Sequence, residues 1–322
     1  MNNVLITSAG RRVSLVRIFK KELNRYFPEA KLYTADADPS LSAACYASDG
    51  AHKVRKNSDE GYIDELLELA LSLGVKLIVP TIDTGLQILA DSKSLFADHG
   101  IHIALSSKEL IEICRDKRKS GLFFTGHQIG TPEVYAKDQL KFPLFIKPYD
   151  GSMSVDTFHI KEAKEITSQH LENEKFMFME YIDSRLYNEY TIDMYYDRNH
   201  QLRSLVPRKR IEVRGGEVNK GITVKDYVFE YLKEKLSYIE GAFGCLTMQV
   251  FYNQENQSIK ALEINPRFGG GYPLSYLAGA NYPGNLIREC LLNEDIEEYH
   301  DWENALLMLR YDDEILVHGA DI

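Results

Sequence analysis

Cys245-Leu-Thr-Met-Gln249-Val-Phe-Tyr252 and Ala261-Leu-Glu263-Ile-Asn265-Pro-Arg267 each alternate apolar and polar side chains as a half-buried strand does, and residues 253–258 between them are turn formers. Side chains two apart on a strand face the same way, so Glu263 and Asn265 share a face. Folding this hairpin about its polar loop brings Gln249 nearly opposite Glu263, with Arg267 just past the strand end. One carboxylate beside two carboxamides is a donor set suited to Mg²⁺, which takes few carboxylates and shares its shell with phosphate and water. Taken alone, a Glu-x-Asn-Pro-Arg string also describes an ordinary hairpin with a wet polar face. The matching upstream strand is what favours a site.

Outward from the hairpin, Lys147 ends Phe142-Pro-Leu-Phe-Ile-Lys147 and is followed by Pro148-Tyr-Asp-Gly151-Ser152-Met-Ser154. A lysine at a strand end beside a small hydroxyl-bearing turn presents positive charge, two hydroxyls and backbone N–H groups to a phosphate. Lys-Pro and Asp-Gly are equally common as loop punctuation. Phe176-Met-Phe-Met-Glu180-Tyr181-Ile182 is an apolar strand that turns polar at Glu180, and Glu189, Thr191 and Asp193 share one face of the next strand. Such a backbone can read a flat base, and a nearby carboxylate can accept from ribose hydroxyls. The aromatic and Met stripe itself reads as core.

The first third alternates strands (4–7, 31–35, 75–80, 101–105) with helices (13–23, 62–73, 84–97), which implies a parallel, doubly wound sheet with right-handed crossovers to about residue 106. Helices at 107–114 and 117–126 follow, with Asp116 as N-cap of the second. Strands at 144–147, 176–182, 190–196 and 201–206, a helix at 224–240, the hairpin, helices at 274–277 and 285–292 and a strand at 305–309 make an α+β body. A chain of 322 residues should form two or three packed units. Its formal charge of −10 argues against general nucleic-acid or anionic-membrane binding. No apolar run reaches membrane-spanning length, and the N-terminus lacks the basic and apolar regions of a signal peptide. Four scattered cysteines without CxxC spacing argue against zinc and fit a reducing compartment. The expectation is a cytoplasmic protein.

The order Asp116-Lys117, Gly130-Thr-Pro132, Lys147-Pro148, Gly151-Ser-Met-Ser154, Glu180-Tyr-Ile182, Glu189-Tyr-Thr-Ile-Asp193, Gln249 and Glu263-Ile-Asn-Pro-Arg267 resembles the ATP-grasp superfamily over nearly the whole chain. The Gln, Glu and Asn set is most similar to the large subunit of carbamoyl-phosphate synthase. Asn-Pro-Arg267 followed by Gly269-Gly-Gly271 also looks like the stand-alone carboxylate–amine (amino-acid) ligases. The resemblance implies an α/β architecture: a pre-ATP-grasp domain over 1–106, then a two-lobed ATP-grasp domain over 107–322, with the small lobe to about residue 183 and the large lobe from about 184. It implies Lys117 and Lys147 on the phosphates of ATP, under a turn carrying Ser152 and Ser154. Glu180, Tyr181 and Ile182 would form the adenine hinge, and Glu189 would hold the ribose. Gln249, Glu263 and Asn265 would bind Mg²⁺, or Mn²⁺ in its place, with Arg267 and Lys147 at the transferring phosphoryl group. The implied activity is ADP-forming carbon–nitrogen ligation of a carboxylate and an amine through an acylphosphate. A homodimer is one implied assembly, since many such ligases are dimers. One departure is the phosphate loop, usually richer in glycine, where this chain has Met153 and Asp156.

The acceptor side is less defined. Arg203, Arg208, Lys209, Arg210 and Arg214 form a basic run before Gly215-Gly216. Arginine forks bind carboxylates well, although most charge runs are solvated faces; Arg210 and Arg214 are the candidates. Gly270, within Gly269–Gly271, precedes a helix whose N-terminal amides suit an anion. Gly10-Arg11-Arg12 and Asp83-Thr84-Gly85 sit at strand-to-helix turns, where ligands bind in open α/β sheets, and each also reads as a plain turn or cap. Three rivals stand beside ligation. A nicotinamide-dependent oxidoreductase conflicts with the missing G-x-G-x-x-G in Ser8-Ala-Gly10-Arg-Arg-Val-Ser14. A non-catalytic or regulatory ATP-binding module would keep the fold without turnover. A carboxyphosphate- or carbamoyl-forming enzyme would keep the chemistry and change the acceptor.

Overall fold

The computed structural model describes residues 2–151 and 155–319. The chain opens with β1 (Asn3–Thr7), α1 (Val13–Tyr26), β2 (Leu32–Asp36), β3 (Gly50–Lys53), α2 (Tyr62–Ser72), β4 (Val75–Pro80), α3 (Leu86–Asp91), α4 (Lys93–Asp98) and β5 (His102–Ile103). These strands form one parallel sheet in the order β3-β2-β1-β4-β5. Val4, Leu5 and Ile6 are fully buried, as a parallel strand covered on both faces requires. Val4 and Ile6 pack with Leu15, Val16, Phe19 and Leu23 of α1, whereas Leu5 joins Leu66 and Ala70 of α2 on the opposite face. Strand order reverses between β1 and β4, so the loops after them, residues 8–12 and 81–85, flank the switch-point crevice. Gly10 holds that first loop in a left-handed turn (φ 50°), and its N–H donates to Asp36 Oδ2 at 3.0 Å.

After α5 (Lys108–Arg115) and α6 (Lys117–Gly126) come β6 (Val134–Tyr135), β7 (Leu144–Pro148), β8 (Phe158–Ile160), α7 (Ser168–Glu172) and β9 (Phe176–Glu180). The strands form an antiparallel sheet, β6-β9-β7-β8, over a small core of Leu144, Ile146, Ile160 and Phe178. The remainder is β10 (Asn188–Tyr196), β11 (Leu202–Arg214), β12 (Glu217–Thr223), α8 (Tyr227–Lys235), β13 (Gly244–Asn253), β14 (Ser258–Asn265), α9 (Tyr272–Leu277), α10 (Tyr282–Leu291) and β15 (Leu307–Leu309). Its six strands run antiparallel in the order β14-β13-β10-β11-β12-β15. Helix α1 packs on α9 and α10, and its buried Glu22 accepts from Tyr276 Oη at 2.6 Å and Asn281 Nδ2 at 2.8 Å. The parallel sheet is thereby fastened to the larger antiparallel one.

Several elements differ from the sequence expectation, three of them among those expected. β11 runs eight residues past Val206, through Pro207 and the basic run. Pro207 is tolerated because it sits at the end of the β11–β12 ladder, where only its carbonyl is engaged, accepting from Val224 N–H at 3.0 Å. Gly215 (φ 57°) and Gly216 (φ 79°) then make the tight hairpin turn into β12. The helix expected over 84–97 is two helices broken at Ser92, whose hydroxyl donates to Ile88 O at 2.8 Å. The helix expected over 224–240 is shorter, starting at the Asp226 cap. Among the described residues no helix is long and apolar enough to cross a membrane.

Candidate functional site

The hairpin register pairs Gln249 with Glu263 and Thr247 with Asn265, placing the two amides and the carboxylate on one face of the large sheet. Asn265 Nδ2 donates to Glu263 Oε1 at 3.0 Å, which leaves the Asn265 carbonyl oxygen free to face a cation. Lys117, first residue of α6 behind the Asp116 cap, places Nζ 3.9 Å from Glu263 Oε2 and donates to Gly151 O. Lys147, at the far end of β7, is half-buried by surface yet closely enclosed. Burial lowers its pKa to about 8, with Glu263 raising it and Lys117 lowering it. Two lysines and one carboxylate therefore crowd a site with more positive than negative charge. The oxygen donors fit a small hard cation, provided phosphate completes the shell.

Glu180 ends β9 with its carboxylate on Lys260 of β14 and on the Glu133 N–H (3.1 Å), joining the small sheet to the large one. Tyr181 stacks on His159 of β8 at 3.9 Å between centroids and 6° between planes, and Ile182 follows half-buried. Ser152 and Ser154 lie outside the described residues. Glu189 pairs with Arg210 across the β10–β11 ladder. Burial raises the Glu189 pKa, Arg210 opposes the shift, and Glu263 adds to it. Arg210 is thus tied to Glu189 on the ladder rather than standing free. Arg214 is not brought to the site: it lies exposed near the hairpin tip, paired with Asp312.

Arg267 leaves the hairpin end and donates from Nη2 to Asp83 Oδ2 at 2.6 Å, closing the large sheet onto the β4 loop. Its backbone carbonyl accepts from Thr247 Oγ1 at 3.0 Å. Beneath, Asp193 and Arg208 form a fully buried pair (2.7 and 3.0 Å) that also receives Ser275 Oγ at 2.6 Å. Beside Arg267 a pocket of about 190 Å³ opens between Gly10, Arg11 and Arg12 on one side and Glu217, Gly270 and Arg310 on the other. Among the described residues the buried Nη1 of Arg12 has no hydrogen-bond partner. Burial, then the neighbouring Arg267 charge, lowers its pKa. Burial alone would raise the Glu217 pKa, but Arg310 (3.0 Å) and Arg12 hold it below the usual range. A Cβ on Gly270 would approach Arg12 Nη1 and Glu217 Oε1 to 2.9 Å, so a side chain there would displace both charged groups of the pocket.

Two family models match the sequence: PylC-like, N-terminal domain, over residues 4–104, and ATP-grasp in the biosynthetic pathway with Ter operon, over residues 172–311. The chain belongs to the ATP-grasp superfamily. Solved structures share the fold at low identity. Biotin carboxylase from Campylobacter jejuni superposes with TM-score 0.69 at 15% identity, over 89% of this chain and 70% of that one. N5-carboxyaminoimidazole synthetase from Staphylococcus aureus, complexed with ADP, gives 0.68 at 15%, over 89% and 76%. L-amino acid ligase from Bacillus licheniformis gives 0.68 at 14%, over 90% and 74%. No curated protein matches.

Within the ATP-grasp framework, Lys117 and Lys147 meet the Gln249, Glu263 and Asn265 set, Arg267 past its strand end holds Asp83, Glu180 joins the two antiparallel sheets, and Glu189 pairs with Arg210 within the large one. Sequence reasoning missed Glu217 and Arg310 in the pocket and Lys260 opposite Glu180. Arg12 carried a signal, next to Arg11 in a switch-point turn. Glu217 and Lys260 carried none, because each faces its partner only through long-range pairing.

Proposed function

We propose that this chain is an ATP- and Mg²⁺-dependent, ADP-forming ligase that joins a carboxylate to an amine through an acylphosphate. The observation carrying the reading is the convergence of Gln249, Glu263 and Asn265 with Lys117 and Lys147 on one sheet face. Glu263 with the Gln249 and Asn265 carbonyls would hold Mg²⁺, which when bound neutralises phosphate oxygens as a Lewis acid. Lys117 and Lys147 would counter the remaining triphosphate charge, and Arg267, fixed by Asp83 and Thr247, would face the transferring group. A carboxylate oxygen attacks the γ-phosphorus, the bond to the bridging oxygen breaks, and ADP departs. The amine then adds to the acyl carbon, phosphate leaves with the bonding pair, and the nitrogen loses a proton to solvent. The pocket beside Arg267 would receive the acid, with the unpartnered Nη1 of Arg12 as a donor to its carboxylate.

Glu263→Ala should abolish ADP formation in a phosphate-release screen with ATP, Mg²⁺ and paired amino acids; undiminished turnover would remove the metal assignment. The alternative reading is a regulatory ATP-binding module that keeps the fold without turnover. ATP binding without ADP release across a broad panel of acids and amines would decide for that module.

A further inference from the structure

A second cavity, of about 280 Å³, lies away from the nucleotide end, between the β5 edge of the parallel sheet and the turns at the far end of the large sheet. β10 runs from Glu189 at the nucleotide end to Tyr196 near this cavity, a separation of about 23 Å at strand rise. Lys93, His102, Arg198 and His200 line it, no lining side chain is acidic, and Ile101, Ile103 and Phe243 supply an apolar wall. A cationic, acid-free concavity is unexpected in a chain of formal charge −10.

The four groups are not equivalent. Arg198 is held by the Glu289 carboxylate and by the carbonyls of Glu289 and Glu294, so its charge is fixed in place while its donors are spent. Lys93 Nζ donates to Leu105 O at 2.6 Å and lies 5.5 Å from the Phe243 ring centroid, with donors to spare. His200 Nδ1 lies 2.8 Å from Ala242 O, leaving Nε2 for another partner. His102 makes no side-chain hydrogen bond among the described residues.

We propose that this cavity binds a small organic anion, a carboxylate or phosphoryl head on a compact apolar body, separately from nucleotide and acceptor. Lys93, His102 and His200 donate to the head, and Phe243, Ile101 and Ile103 cover the body. The bound anion links the α4–β5 edge of the parallel sheet to the β10–β11 turn. The charged groups acting on His102 are Arg198 on that turn, with Glu289 of α10 behind it as counter-ion, Lys93 on α4 and Lys76 on β4. Burial and these cations lower its pKa. A bound anion opposes them, so binding takes up a proton and tightens as pH falls.

The test is isothermal titration of the full chain with benzoate, phenyl phosphate and inorganic phosphate, with and without Mg·ADP. Expected is one saturable site for benzoate or phenyl phosphate, tighter than for inorganic phosphate, unaffected by Mg·ADP and tighter at pH 6 than at pH 8. The better of the two organic anions identifies the head group. His102→Ala should weaken binding about tenfold, and Ala97→Phe, on an exposed position of α4, should block the cavity without disturbing the core. No saturable binding, loss of binding with Mg·ADP, or unchanged affinity in Ala97→Phe would each overturn the proposal.

Discussion

Lys147 provides a quantitative handle on the nucleotide site. Burial, with help from Lys117 and against Glu263, takes its pKa from the ordinary 10.5 to about 8, a shift worth roughly 3 kcal/mol. A bound triphosphate replaces the missing counter-charge, so the lysine regains its proton on binding. Free protein at pH 7.5 holds Lys147 mostly charged, and at pH 9 mostly neutral. If the bound state keeps the lysine charged throughout, nucleotide affinity falls about eightfold from pH 7.5 to pH 9. The window avoids titration of the nucleotide's own phosphates. Fluorescence titration with a non-hydrolysable ATP analogue reads it directly. Lys147→Met should bind more weakly at pH 7.5 and lose most of the pH dependence. The sign for folding runs the other way. In the free protein this group's penalty is fully present below pH 8 and is relieved as pH rises from about 8 toward 10.5. Wild-type affinity that is flat across the window, or a slope that persists in Lys147→Met, would refute the assignment of Lys147 to phosphate.

Other consequences follow from the same geometry. Arg12→Met should raise KM for the acid about tenfold or more, the worth of a charge-assisted hydrogen bond, with nucleotide affinity unchanged in equilibrium titration. Arg208→Met leaves Asp193 buried and unpaired and should cost about 3–5 kcal/mol in urea denaturation; a loss under about 1 kcal/mol would contradict the buried pair. Gly271→Ala would place a Cβ 2.3 Å from Arg208 Nη1 and 2.5 Å from Val218, and should destabilise by roughly 1–3 kcal/mol in the same assay.

Local patterns were the legible part of this chain. The alternation in 245–252 and 261–265 gave the Gln249–Glu263 pairing, because a strand's period of two leaves only one face for the polar set. Asp116 capping α6 was readable for the same local reason, its side chain accepting from Arg118 N–H. The basic run was divided in the sequence between a solvated face and two anion-binding candidates, Arg210 and Arg214, and its pairing with buried carboxylates went unseen. Along β11 its members alternate between the two faces, and Arg203, Arg208 and Arg210 each meet a carboxylate on or just beyond β10: Asp197, Asp193 and Glu189. Those carboxylates are 6 to 21 residues away in sequence and become neighbours only through the ladder. Edge strands such as β3 and β8 went unseen because they are short and half exposed, so burial leaves little pattern in them. The pocket beside Arg267 is the extreme case, drawing on the β1–α1 turn, Ile82, Glu217, the loop before α9, Met308 and Arg310, which no window of sequence contains together.

The most direct measurement is a crystal structure with Mg²⁺ and ADP bound. The account predicts the metal on the oxygens of Gln249, Glu263 and Asn265, the phosphates between Lys117 and Lys147, and the base along 180–182 beside the Tyr181–His159 stack. Adenosine bound elsewhere, or a metal held without Glu263, would contradict it.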